Sequence, residues 1–357
     1  MSVAYPYLFD FSASHVGGGL KRLYEYAKWF AANGGAWFMV RGRCEQLKSE
    51  FPGNEFFVVR RSRLARVIDN AASVRETVGQ IGAVPECYYA YGIPLSERVG
   101  RVNWFHLSNV LPLAWRGVPL PLATQLRHRL LGRQTRRGLA YADVISAESQ
   151  AALALFDDSY RRRLFLSVNG SDDEISEAAH GAARERQPAA IVVGTYSYKA
   201  LGESLQVFRA LKQSDDQLRL IVFGDETRIP AGVRTDPAVI IRGERPRGEV
   251  IDALRQARFY ISTTVIEGSY NAASEGVFLA EQSYISDIGP HRELLAGQNV
   301  ERLMLPNMTR PVLRVRRNEL STTHLKTWAQ LIADMNGRIR DQLAASSPSP
   351  LHDRQAR

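Results

Sequence analysis

Two glutamates flank a turn in the second half of the chain, and their spacing points to the binding of hydroxyl groups. Glu267 and Glu275 stand eight positions apart. Glu267 follows the apolar run Phe259–Thr263, which predicts a strand, and Glu275 falls in the first turns of a helix predicted over Asn271–Glu281. A carboxylate accepts two hydrogen bonds side by side, which suits the vicinal hydroxyls of a ribose or a hexose.

The segment between the two glutamates opens that helix. Backbone N–H groups at a helix start are free to meet phosphate or sugar oxygens, and here they belong to Ser269, Tyr270, Asn271 and Ala272. The alternative is ordinary helix capping with Asn271 as the N-cap. A capping box needs Glu or Gln at position 274, which is Ser274, so capping accounts for Asn271 but not for Glu275.

A glycine-rich loop near the start of the chain is a second candidate for anion binding. Val3–Phe9 predicts a strand, Asp10–Gly19 a loop, and a helix follows. Gly17, Gly18 and Gly19 would let the backbone come close to a ligand at the helix start. The loop is not a dinucleotide fingerprint, because the third glycine position falls on Arg22, and it is not a P-loop. A merely flexible strand-to-helix connection is the alternative.

Strand and helix predictions alternate through both halves of the chain, which predicts the α/β class. We expect two Rossmann-like, doubly wound domains of parallel strands over residues 1–168 and 169–320, joined by a polar linker at 169–188. A long amphipathic helix is predicted over 321–345, packing back across the domains, and a disordered tail over 346–357. In such folds the ligand lies at the carboxyl ends of the strands, in the cleft between the domains.

Composition excludes several classes of protein. The 357 residues are 45% hydrophobic, no run approaches the ~20 apolar residues of a membrane span, and the first residues lack a basic signal-peptide region. Cys44 and Cys87 are too few for a disulfide framework or a four-cysteine zinc site. Neither an Asp-x-Asp motif nor a cluster of metal-ligand spacing is evident, so we expect no metal and no cofactor. These features predict a cytoplasmic protein.

At this point the sequence resembles the retaining GT-B glycosyltransferases of family 4. The resemblance rests on the Glu-x7-Glu spacing and on Ser-Asp-Ile-Gly-Pro-His-Arg-Glu at 286–293. It implies that Glu267 lies near the donor sugar and that Glu275 binds the ribose of the nucleotide. Glu293 matches a glutamate that often ends the second motif.

The resemblance extends along most of the chain. It implies that the glycine loop 17–19 faces the donor phosphates, that His106, at the end of the predicted strand Val102–His106, is an active-site histidine, and that Lys199 contacts the diphosphate. Family members usually carry Arg where this chain has Thr195, so either Lys199 acts with backbone N–H groups or another arginine substitutes.

The implied function is transfer of a sugar from a GDP- or UDP-sugar to a hydroxyl of a glycan or lipid-linked glycan, in lipopolysaccharide, O-antigen or capsule synthesis. The implied catalytic groups are His106, Glu267 and Lys199. A nucleotide-sugar epimerase or phosphorylase of the same fold, and a catalytically weak GT-B partner subunit, are the alternatives. Net charge +9 and pI ≈ 9.7 also raise nucleic-acid binding, which no zinc-finger, RRM or KH signature supports, so we expect no nucleic acid.

The basic segment 116–137 carries much of the excess positive charge. Leu122, Leu126, Leu130 and Leu131 recur there at helical spacing among arginines. Such a helix can lie on an anionic membrane surface, and many family relatives act on lipid-linked acceptors. The alternative is a helix whose leucines face the core and whose arginines are solvated.

Overall fold

The computed structural model describes residues 6–14, 17–60, 71–171, 175 and 186–346. Most of the predicted linker, the first residues of the predicted opening strand and nearly all of the predicted tail lie outside these residues.

The first half of the chain forms a seven-stranded sheet in which every pair of neighbouring strands is parallel. Its central strands are buried on both faces and are therefore nearly continuous apolar runs. The strand order is β3-β2-β1-β4-β5-β6-β7. The strands are β1 (Tyr7–Asp10), β2 (Trp37–Val40), β3 (Glu55–Val58), β4 (Cys87–Tyr91), β5 (Val102–Leu107), β6 (Val144–Ala147) and β7 (Leu164–Leu166).

The second half forms another seven-stranded sheet, of order β10-β9-β8-β11-β12-β14-β13. Strands β8 to β12 are parallel, whereas β13 and β14 are antiparallel to their neighbours. The strands are β8 (Gln187–Val193), β9 (Arg219–Phe223), β10 (Val239–Gly243), β11 (Ala257–Ser262), β12 (Gln282–Ser286), β13 (Glu301–Leu303) and β14 (Val312–Arg316). The strand predictions do not include β13 and β14, which are short and separated by a polar loop.

Helices connect most of the parallel strands, as right-handed crossover geometry requires. In the first half they are α1 (Gly17–Ala32), α2 (Leu47–Glu50), α3 (Ala71–Ile81), α4 (Leu111–Ala114), α5 (Leu122–Gly138) and α6 (Gln150–Leu153). In the second half they are α7 (Leu201–Lys212), α8 (Ala231–Arg234), α9 (Arg247–Gln256), α10 (Asn271–Leu279), α11 (Gly289–Leu294) and α12 (Trp328–Ser346). The prediction of a two-sheet α/β fold is confirmed.

The last helix returns to the first sheet. Helix α12 begins at Trp328, seven residues later than the predicted start at Ser321, because residues 321–327 form turns and a bridge between Ser171 and Thr327. Ile332, Met335 and Ile339 are fully buried in the aromatic core beneath β1 and α1. The chain therefore crosses between the two halves twice, once near Asn169 and once before α12.

We predict that Ile332→Ala lowers the free energy of unfolding by about 2–4 kcal/mol, because the truncation leaves a cavity in a fully buried site. The exposed Arg340→Ala on the same helix should change it by less than about 0.5 kcal/mol. Chemical denaturation of the two variants checks this, and equal effects would mean that α12 is not part of the first core.

Candidate functional site

Strand order reverses in the second sheet between β8 and β11, and two predicted site residues meet at that point. Lys199 follows β8 and Glu267 follows β11, at the carboxyl edge of the sheet. Their side chains form an ion pair, Nζ to Oε1, with 13% and 21% of each side chain exposed. The turn that carries Lys199 is fixed to the end of β11, because the Val265 N–H donates to the Tyr198 carbonyl at 2.7 Å.

The second glutamate is also paired with a cation, and sequence reasoning missed its partner. Arg247, the first residue of α9, donates from Nε and Nη2 to Glu275 Oε1 at 3.0 and 2.8 Å. Arg247 follows the carboxyl end of β10, and Glu275 follows that of β11. Glu267 also follows β11, so the two glutamates share one edge of the sheet. Nothing in the spacing around Arg247 distinguishes it from the many other arginines of this chain.

Gly17, Gly18 and Gly19 were predicted to end a loop, but they are the first three residues of α1. This glycine-rich turn, still called the glycine loop below, meets the opening of α10 across the cleft. A Cβ added to Gly18 would lie 2.5 Å from the side-chain amide nitrogen of Asn271, and one added to Gly19 would lie 2.9 Å from Ser14 Oγ. Gly17 has a φ of +63°, which favours glycine. Tyr270 rather than Asn271 is the N-cap residue of α10, and no side-chain cap hydrogen bond forms there. The predicted capping role of Asn271 is therefore wrong, and its side chain instead approaches the glycine loop.

The side chain of Thr195 bonds to backbone at the end of the neighbouring strand. It is buried, and its hydroxyl donates to the Asp225 carbonyl at 2.9 Å, which ties the end of β8 to the end of β9. Of the other predicted residues, Ser269 accepts a hydrogen bond from Asn169 Nδ2 at 3.2 Å, and Tyr270 and Ala272 are partly buried beside it.

Three hydrogen bonds join the two halves around the cleft. Ser149 Oγ donates to the Gly268 carbonyl at 2.9 Å. The two carboxylate oxygens of Glu293 accept from the backbone N–H groups of Gln150 and Ala151, both at 2.7 Å, and so cap the short helix α6. The Glu267–Glu275 segment is thus held directly against the first sheet.

His106 is fully buried and lies away from the cleft surface. Its ring stacks on Tyr91, with centroids 4.9 Å apart and the planes within 12°. His106 Nε2 faces Glu148 Oε1 at 3.4 Å, and an ionised carboxylate can only accept, so the ring proton is assigned to Nε2. Nδ1 then accepts from the Ser146 hydroxyl at 2.8 Å, and Ser146 Oγ in turn accepts from Trp104 Nε1. Both ring nitrogens of His106 therefore have partners within the protein, and its catalytic contact stays a prediction.

Glu148 is a buried carboxylate that the sequence interpretation did not single out. It accepts from the Tyr91 hydroxyl at 3.0 Å and lies 3.6 Å from the Arg22 guanidinium. Burial alone raises the pKa of Glu148, but the hydrogen bond from His106 and the charge of Arg22 outweigh it and lower the pKa to about 2. Burial, and then the charge of Arg22, lower the pKa of His106 to about 4. Glu148 is therefore ionised and His106 neutral at pH 7.

The basic segment exposes three of its leucines to solvent, while Leu131 is partly buried. On α5 the buried residues are His128, Gly132, Thr135 and Gly138, whereas Leu122, Leu126 and Leu130 are 82%, 68% and 47% exposed. Gly132 and Gly138 allow the inner face to approach other backbone closely, since an added Cβ would lie 2.2 Å from the Pro112 carbonyl oxygen and 2.4 Å from that of Leu95. The alternative in which the leucines face the core is wrong for these three.

The described part of the chain contains neither a membrane-spanning helix nor a metal-binding cluster. No described helix combines the length and apolarity needed to traverse a bilayer. Among residues 6–14, 17–60, 71–171, 175 and 186–346, no three His, Cys, Asp or Glu side chains group together in a way that could hold a metal ion.

Comparison with solved structures identifies the fold. HepE from Anabaena, solved with UDP-glucose, is 17% identical, with a TM-score of 0.57 over 96% of this chain and 94% of HepE. Sucrose-phosphate synthase from Thermosynechococcus elongatus is 14% identical, with a TM-score of 0.66 over 96% of this chain and all of that one. WaaG, a glycosyltransferase involved in lipopolysaccharide biosynthesis, is 13% identical, with a TM-score of 0.58 over 97% and 96%. No protein-family model and no curated protein matches the sequence. The chain therefore has the GT-B fold.

We predict that protein stability falls as the pH is lowered from 6.5 towards 4. A histidine whose folded pKa is about 4, against ~6.5 when unfolded, binds its proton only in the unfolded chain across that range, at a cost of up to about 3 kcal/mol. His106→Asn should reduce the slope of the unfolding free energy against pH by up to ~1.4 kcal/mol per pH unit, which corresponds to one proton.

The buried His291, whose pKa is also lowered to about 4, provides a matched comparison. His291→Asn should flatten the plot equally, and the double variant by twice as much. A slope that is unchanged in His106→Asn would contradict the assignment of a buried neutral imidazole.

Proposed function

We propose that this chain is a retaining GT-B glycosyltransferase of the family 4 type, which moves a sugar from a nucleotide-diphosphate sugar to a hydroxyl of a glycan or lipid-linked glycan. The single observation that carries the proposal is the meeting of Glu267, Glu275, Lys199 and the start of α10 at one sheet edge, opposite the glycine loop. The residues 1–168 would form the acceptor domain and 169–320 the nucleotide-sugar domain.

Each group has a role that follows from its chemistry. Glu275 would accept the ribose hydroxyls, and Glu267 would position the donor sugar. Lys199 already neutralises one carboxylate, and it would turn to the diphosphate as negative charge builds there in the transition state. The first turn of α10 would add backbone N–H groups at the same place. We include no metal and no protein nucleophile: the departing phosphate would take the acceptor proton on the same face.

The donor nucleotide is proposed to be UDP or GDP. UDP is favoured because HepE, a structural neighbour over nearly the whole chain, was solved with UDP-glucose. Thr195 stands where the family usually has arginine, and its hydroxyl is bonded to the Asp225 carbonyl. The diphosphate partners would therefore be Lys199 and backbone N–H groups. Arg247, which bonds to Glu275, is the arginine at this site.

The setting proposed is the cytoplasm, at the inner face of the cell membrane, during assembly of a bacterial surface polysaccharide. Support comes from the exposed leucine row of α5, which is flanked by exposed arginines such as Arg127 and Arg129. Exposed apolar side chains between cations fit the interface of an anionic bilayer. The protein would then meet lipid-linked acceptors directly.

Glu275→Ala and Lys199→Ala should each lower kcat/KM for sugar transfer roughly 10²-fold or more, because each removes a charged contact to the donor. Circular dichroism should show both variants folded. Glu281→Ala, an exposed glutamate at the opposite edge of the same sheet, is the control and should retain activity. Wild-type kinetics in both site variants would remove the site assignment.

A thermal-shift screen with UDP, GDP, dTDP and ADP identifies the base, because a ligand that binds only the folded state raises the melting temperature. A product assay on the best sugar nucleotide separates transfer from epimerisation. Absence of any donor turnover alongside tight nucleotide binding would favour the partner-subunit alternative.

Leu126→Gln together with Leu130→Gln should reduce co-sedimentation with phosphatidylglycerol vesicles at least 10-fold, because both leucines would otherwise insert at the interface. Val84→Gln, which changes an equally exposed apolar residue outside the helix, is the control. Wild-type protein should bind neutral vesicles weakly, and its binding to anionic vesicles should fall as the salt concentration rises. Equal binding by the helix variant and the wild type would refute membrane contact through α5.

A further inference from the structure

Arg22 is a fully buried cation in α1, one turn beyond the glycine loop, and its hydrogen bonds go mostly to one short segment. Nη2 donates to the carbonyls of Ser167 and Val168, both at 2.9 Å, and to Asn169 Oδ1 at 3.1 Å. Nη1 donates to Ser167 Oγ at 3.0 Å, and Nε to Asn169 Oδ1 at 3.3 Å. A planar guanidinium fork thereby holds three consecutive residues.

Those three residues form the crossover from the first sheet to the second. They follow β7, the last strand of the first sheet, and precede the Ser171–Thr327 bridge. The crossover also contacts the second half of the chain, because Asn169 Nδ2 donates to Ser269 Oγ between the two glutamates of the proposed donor site. Arg22, Asn169 and Ser269 thus make a continuous chain of hydrogen bonds from the glycine-loop helix to the donor segment.

The charge of Arg22 is balanced by Glu148, 3.6 Å away and also buried. Its guanidinium carbon also lies 5.6–5.9 Å from the ring centroids of Tyr26, Tyr91 and Trp328. A buried ion pair is often no more stabilising than apolar residues of the same volume, so stability by itself does not account for this arrangement. Arg22 makes more hydrogen bonds to the crossover than the neutralisation of the Glu148 carboxylate alone requires.

We propose that Arg22 is a positioning residue that sets the placement of the glycine loop against the donor segment through the crossover at Ser167–Asn169. This inference rests on the proposed function for its kinetic consequence, although the coupling itself is a property of the fold. Arg22 is fully buried, so it would act through the crossover and not by contact with substrate. Its loss would leave nucleotide binding by the second half intact while the catalytic groups of the two halves lose their alignment.

The test uses Arg22→Lys in the full chain, which keeps a positive charge near Glu148 but cannot span all three crossover residues. We expect kcat for transfer to fall at least 10-fold at a temperature well below unfolding, with the nucleotide Kd from calorimetry unchanged within about twofold. Arg98→Lys is the matched control, since Arg98 makes an exposed paired contact with Asp143 in the same half. It should leave kcat unchanged.

Hydrogen exchange provides a readout that needs no activity. In Arg22→Lys the peptide covering 264–272 should exchange at least 10-fold faster, and the peptide covering β12 should not change. Asn169→Ala should have the same effect on exchange and kcat, and it carries the test if Arg22→Lys fails to fold.

A lowered melting temperature with unchanged kcat and unchanged exchange would overturn the proposal, because Arg22 would then be purely structural. Loss of nucleotide binding in step with kcat would also overturn it. If the wild type transfers no sugar, the proposed function fails, and the exchange measurement alone decides the coupling.

Discussion

The carboxyl ends of parallel strands lie at one edge of a sheet, and this constraint determines where the ionisable side chains of the candidate site lie. The interiors of both sheets are apolar on both faces, so ionisable side chains that need hydration or a partner collect where the strands stop. In the second sheet, Lys199, Glu267 and Glu275 all come from segments that follow parallel strands. The first sheet presents the glycine loop to the same space. The site proposed for a sugar and its phosphates is a consequence of this geometry.

Each carboxylate of the site is paired in the structure, and the pairing has a chemical meaning. Glu267 contacts Lys199 and Glu275 contacts Arg247, so neither negative charge is left unbalanced at a partly buried edge. A nucleotide sugar brings both hydroxyls and negative phosphates. In the proposed complex, its hydroxyls would donate to the carboxylates and its phosphates would pair with the cations, so both ion pairs would be exchanged for contacts to the ligand.

A buried polar network of the described residues lies behind the cleft and not in it. Arg22, Glu148 and His106 are almost completely removed from solvent, and their hydrogen bonds run to the crossover and to neighbouring strands. Groups this deeply buried fix geometry, because any loss of a partner leaves a charge or a polar atom unsatisfied. The histidine that the sequence resemblance marked for chemistry belongs to this supporting network.

Sequence patterns predicted most of the parallel strands and the α/β class, because apolar runs separated by helical periodicity are a local signal. β4, over Cys87–Tyr91, matches its predicted bounds, whereas the antiparallel β13 and β14 carry weak, short patterns. Contacts between residues far apart in the sequence could not be predicted from local patterns. Arg247 and Glu148 have no motif, and only the fold brings them to Glu275 and His106. Burial of His106 depends on packing between Tyr89 and Tyr91, which spacing alone does not reveal.

A crystal structure of the protein soaked with UDP or GDP tests the central claim most directly. The account predicts a ribose whose hydroxyls lie within hydrogen-bond distance of Glu275, with the diphosphate beside Lys199 and the start of α10. A nucleotide bound elsewhere, with both glutamates still held by Lys199 and Arg247, would contradict it.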